Sequence, residues 1–74
     1  MIDGQKVKQL REAHGYSLRT LAAMVSDAAG GTVSAQALDT VERGTFDLSL
    51  KKTVALASVL GVGISDILLE QVNA

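Results

Sequence analysis

Apolar residues recur at helical spacing in five stretches, each bounded by a serine, an aspartate or a glycine. The first runs from about Asp3 to His14, with Val7, Leu10 and His14 on one face and Gly15 as its stop. A second starts after Ser17 and places Leu18, Leu21, Ala22 and Val25 on one side. Its pattern frays near Ala28 and Ala29, before the break at Gly30-Gly31. The third begins after Ser34, aligns Leu38 with Val41 and ends at Gly44. Asp47-Leu48-Ser49 opens a fourth, about Leu50 to Leu60, that is apolar nearly all round (Val54, Ala55, Leu56, Ala57, Val59, Leu60). A helix of that kind belongs at the centre of its domain. After Gly61-Val-Gly63 the spacing predicts a short fifth helix, capped by Ser65 and carrying Ile67, Leu68, Leu69 and Val72. Serine suits such starts because its hydroxyl accepts the orphan N–H groups of a first helical turn. No stretch reads as a strand. The pattern predicts an all-α fold in one domain spanning 1–74, with a tandem helix pair at about 17–44 and C-terminal helices at about 49–72.

Length and composition agree with one small aliphatic domain. A chain of 74 residues buries only about 60% of its unfolded surface, so its core must be dense or shared with a partner. Apolar residues make up 47%, with one Phe, one Tyr and no Trp. The absence of cysteine excludes disulfides and thiolate metal sites. A single histidine without clustered carboxylates argues against a metal centre, and no cofactor is expected. Catalysis is not expected either. His14 lies near Ser17 with no acid placed to orient it, and Gly30-Gly31 lacks the lysine and preceding strand of a phosphate loop. No apolar run approaches the roughly 18 residues of a membrane span. The opening residues lack the layout of a signal peptide, so a cytoplasmic protein is expected, nucleoid-associated or in a host cytoplasm if phage-encoded. Net charge is −1. The seven basic residues, Lys6, Lys8, Arg11, Arg19, Arg43, Lys51 and Lys52, all precede residue 53, whereas Asp66 and Glu70 lie beyond it.

Two helices joined by a compact turn leave the polar face of the second free to enter the major groove of DNA. The run Lys6-Val-Lys-Gln-Leu-Arg-Glu-Ala-His-Gly-Tyr-Ser-Leu-Arg-Thr-Leu-Ala fits a basic opening helix, a glycine, an apolar residue and then Ser and Leu-Ala. With Val33-Ser34, Leu38, Val41-Glu42-Arg43-Gly44 and the Leu-Gly-Val at Leu60, it resembles the lambda-repressor-like (Cro and Xre type) helix-turn-helix family over nearly the whole chain. The resemblance implies a five-helix domain whose third helix reads double-stranded DNA. Ala35, Gln36 and Thr40 would face base edges, with Asp39 near the rim. Gln36 suits adenine, whose N6 and N7 a glutamine amide can engage together, and Ala35 suits a thymine methyl. Phosphate contacts would fall to Ser17, Arg19, Ser34, Arg43, Thr45, Lys51 and Lys52, with backbone N–H groups at the start of the second helix. Arg11 and Glu42 would form an ion pair tying the first helix to the end of the third. The implied activity is a transcriptional regulator, a repressor of phage Cro type, binding two half-sites as a homodimer without a small-molecule ligand.

The chain departs from the family pattern twice. Leu18 stands where a phosphate-gripping glutamine is common. Leu21 and Glu42 lie 21 positions apart, several more than usual, which implies a lengthened second helix and turn around Ser26 to Thr32. Plainer readings stand beside the sharp ones. Gln36 also fits an ordinary exposed position, Lys51-Lys52 a solvated face, and Tyr16 and Phe46 core or rim packing. Leu56, Val59, Leu68, Leu69 and Val72 would serve a dimer interface or simply the core. Near-neutral charge and the short side chains of Ala35, Ala37 and Thr40 keep a second function open. It is a protein-interaction module of antitoxin or regulatory type, with weak or no specific DNA binding.

Overall fold

The computed structural model describes residues 1–69. Four α-helices follow in order: α1 (Gly4–Ala13), α2 (Leu18–Ala29), α3 (Ala35–Glu42) and α4 (Leu50–Val59). One 3-10 turn, Ile64–Ile67, comes after them. Each helix starts where a short polar side chain can cap it. Asp3, Ser17, Ser34 and Ser49 accept the N–H groups of Lys6, Thr20, Ala37 and Lys52, respectively. Such a cap contributes about 1 kcal/mol.

The core follows the predicted helical faces. Val7 of α1, Leu21 and Val25 of α2, Leu38 and Val41 of α3, and Leu56 and Leu60 around α4 are all essentially inaccessible to solvent. Helix α4 packs chiefly on α2 and α3 also leans on α2, so α2 is the element both neighbours share. Gly4 explains how α1 reaches α3. A Cβ there would fall onto the backbone of Val41 and Glu42, so only glycine lets the first turn of α1 touch the end of α3.

The fifth helix expected after Ser65 is not formed within the described residues. Gly63 is extended, and its N–H donates to the Asp66 carboxylate at 2.9 Å, closing a single 3-10 turn over Ile64–Ile67 instead. Ile67 is fully buried and ends that turn. Leu68 then adopts extended geometry and forms an antiparallel bridge with Ile2. Two backbone bonds secure it, Asp3 N–H to Ile67 O at 2.7 Å and Leu69 N–H to Met1 O at 2.9 Å. Pairing with the opening residues thus wins over continued helix. Val72, placed on that helix from sequence, lies outside the described residues.

Candidate nucleic-acid interface

Helix α3 is eight residues long, and Arg43 caps its end. Leu38 and Val41 are buried, while Gln36 and Arg43 are exposed and Thr40 is half-buried between them. Spacing of four and then three residues puts those three on one outward stripe. Ala35 packs partly against the core, so its methyl is shared between packing and the surface. Asp39 sits beside the stripe and pairs with Arg43, Nε to Oδ2 at 3.2 Å. With side chains 71% and 40% exposed, that pair is worth well under about 1 kcal/mol. Arg43 can therefore exchange it for a phosphate.

The orientation of α3 depends on Arg11. Its Nε donates to Glu42 Oε2 at 2.7 Å and its Nη2 to Glu42 Oε1 at 3.1 Å. Nη1 donates to the Tyr16 carbonyl at 3.0 Å. The two charged side chains are only 13% and 6% exposed. The hydrogen bond to Glu42, outweighing the cost of burial, holds the Arg11 pKa above its ordinary value, so the guanidinium stays charged. One side chain thus joins α1, the end of α3 and the turn that delivers Ser17 to α2. Arg11 is consequently spent inside the protein.

The long turn is organised by Ser26. Its Oγ accepts the Val33 N–H at 2.8 Å, and its proton lies within reach of the Ala22 and Val33 carbonyls, at 2.7 and 3.0 Å. Gly30, at φ 68°, ends α2 in the left-handed region, and Val33 is buried at the far side of the turn. The extra residues therefore form a pinned connection that sets where α3 begins.

The other expected DNA-contacting residues are dispersed around this frame. Ser17 is exposed at the start of α2, and its hydroxyl donates to Thr20 Oγ1 at 3.0 Å. Arg19 is exposed there too and makes no ion pair among the described residues. Thr45 donates to the Thr40 carbonyl at 3.2 Å. Lys51 and Lys52 part company. Lys52 lines a cleft of about 290 Å³ with Ser34, Ala37 and Phe46, next to the outward stripe of α3. Lys51 borders a separate groove with Ala28, Val54 and Ser58. Leu18, where a glutamine anchor is common, packs partly on the core.

Among the apolar residues proposed for an interface, Leu56 is corrected. It is fully buried and fills the core, so no partner can reach it in this fold. Val59 also packs against the core, whereas Leu68 and Leu69 are exposed. Phe46, expected in core or rim packing with Tyr16, is 52% exposed beside Gln36 and Thr40. Tyr16 stacks on His14, whose Nε2 lies 2.8 Å from the Leu60 carbonyl. Sequence reasoning passed over Ser26, Gly4 and the exposure of Phe46. A lone phenylalanine in a polar turn was the signal for the last.

Among the described residues, no helix is long and apolar enough to cross a membrane, and no group of His, Asp and Glu is placed to hold a metal. A family model described as helix-turn-helix matches residues 7–67. With most of the chain matched and the helix order in agreement, the chain belongs to the lambda-repressor-like, Cro/C1-type helix-turn-helix family. That family is a DNA-binding domain and generally non-enzymatic. No curated protein matches the chain.

Proposed function

We propose that this protein is a sequence-specific transcriptional regulator that reads the major groove with α3 and represses by occupying its operator as a homodimer. The observation that carries the reading is the outward stripe of Gln36, Thr40 and Arg43 on a helix locked from behind by Leu38, Val41 and the Arg11–Glu42 pair. A rigid helix with a free polar face is what groove recognition requires. Gln36 reads a base, with adenine the best fit, and Thr40 and the Ala35 methyl line the neighbouring positions. Asp39 stays at the rim and repels phosphate unless Arg43 covers it. Arg19 and Arg43 supply exposed charge for phosphates and the half-buried Lys52 adds to it, while Ser17, Ser34 and Thr45 offer hydroxyls and the exposed Lys51 contributes from a different face.

The test is selection of bound duplexes from a random pool at fixed near-physiological salt, followed by two variants on the selected site. Gln36→Ala is expected to cost about 1–3 kcal/mol at one base pair and to relax preference there alone. Arg43→Ala is expected to weaken every sequence alike and lower the salt slope by about 1. Failure to enrich any duplex would turn the reading toward a protein-interaction module. The apolar surface formed by Leu50, Val54 and Leu68 is the feature that favours that second role.

A further inference from the structure

Phe46 is the single phenylalanine of the chain, and it is not in the core. The segment that carries it is held on both sides. Gly44, at φ 79°, turns the chain away from α3, and the Thr45 N–H donates to the Thr40 carbonyl at 3.1 Å. After it, the Asp47 carboxylate accepts the Ile2 N–H at 2.8 Å, and Leu48 packs against the core. Between those two anchors Phe46 stays 52% exposed. It walls a shallow depression of about 260 Å³ with Ser34, Gln36, Ala37 and Thr40, so an apolar ring stands beside the residue best suited to read a base. The helix itself is poor in readers, because alanines and a half-buried threonine surround Gln36.

An exposed ring gains little in water, but the major groove offers one apolar group on its base edges, the thymine 5-methyl. We propose that Phe46 is a specificity-determining residue outside the helix-turn-helix, and that its ring packs on the 5-methyl of a thymine next to the base pair read by Gln36. At about 260 Å³ the depression has room for a methyl, and Ala37 and Ser34 line it with the ring. This inference rests on the DNA-binding reading above.

The experiment replaces the thymines of the selected operator one at a time by uracil, which lacks only that methyl. Dissociation constants are measured at fixed salt for the wild-type protein, Phe46→Ala and Phe46→Leu. The expected result is one thymine in each half-site at which uracil weakens wild-type binding about threefold to fivefold, the effect of one methyl-sized group leaving apolar contact. Phe46→Ala should bind both duplexes equally, at the wild-type level for uracil, and Phe46→Leu should retain part of the discrimination. Wild-type binding indifferent to every uracil, or an operator with no thymine beside the Gln36 position, overturns the proposal while leaving DNA binding intact. Undiminished discrimination by Phe46→Ala also overturns it. If the wild-type protein binds no duplex at all, the underlying reading has failed and this one falls with it. Circular dichroism on both variants, with Phe46→Leu keeping most of the local packing, separates loss of contact from loss of fold.

Discussion

Ser26 shows how much one small side chain can decide. Its hydroxyl accepts from Val33 and donates back to α2, so it closes the inserted turn onto the helix that precedes it. Val33 is buried, and removing the hydroxyl would leave its N–H without a partner, a cost of about 1–3 kcal/mol. Ser26→Ala is therefore expected to lower the unfolding free energy by that amount and to weaken operator binding further, because α3 loses its fixed starting point. Denaturant unfolding and binding measured on the same preparation check both effects. Equal affinity per folded molecule would show that the turn does not place α3. The capping serines were readable in sequence because a cap bonds to a residue three positions away. Ser26 was not, since its partner lies seven positions off, across a turn whose shape no local pattern specifies. Gly4 escaped notice for the same reason, as the backbone it must avoid belongs to α3.

At the scale of elements, α3 can read DNA only if its axis is fixed, and Arg11 is the principal clamp. Arg11→Met leaves Glu42 nearly buried without its partner, and breaking such a pair costs about 3–5 kcal/mol. The double variant Arg11→Met with Glu42→Met is expected to recover most of that loss, since neither charge then needs a partner. Arg11→Lys keeps a charge but not the two-pronged geometry or the bond to the Tyr16 carbonyl, so it should fall between. Thermal unfolding of the three variants orders them. A single variant as stable as the wild type would remove the clamp from the account. The boundaries of α1 to α4 were legible because each couples a polar start to an apolar face of period 3.6. The last element was not. Ile64 to Leu69 have the composition of a helix, and only the backbone of residues 1–3, far away in sequence, turns Leu68 into extended chain. Gln36, Thr40 and Arg43 were singled out through the family resemblance; that they share one outward stripe is seen only in the fold. The divergence of Lys51 from Lys52 was not legible either, because adjacent helical residues differ by about 100° and only the docking of α4 decides which one meets α3.

The molecule as a whole has too little charge to hold DNA by electrostatics alone. Its net charge is −1, and Arg11 is committed internally. A protein that neutralises few phosphates gains little non-specific affinity, so a single copy with one short reading helix should bind weakly. Joining two copies turns the second half-site into an intramolecular encounter and can raise affinity by about 10²–10⁴ without a new DNA contact. On the proposed homodimer reading, the exposed apolar residues of α4 and its neighbours would be the place of that joining. Leu50, 74% exposed, shares one depression with Met1 and Leu68 and borders a second with Val54. These residues form a connected apolar strip that runs past Ala28 of α2, whereas the buried Leu56 holds the core beneath. Leu50→Glu is accordingly expected to leave the fold unchanged, since the side chain is solvated, and to shift the protein to monomers in sedimentation equilibrium. Binding to an isolated half-site should then be unaffected, while binding to the paired site loses about tenfold or more. Should Leu50→Glu bind the paired operator as tightly as the wild type, the two copies meet elsewhere or only through the DNA. The strip would then be left for a partner other than a second copy of this chain.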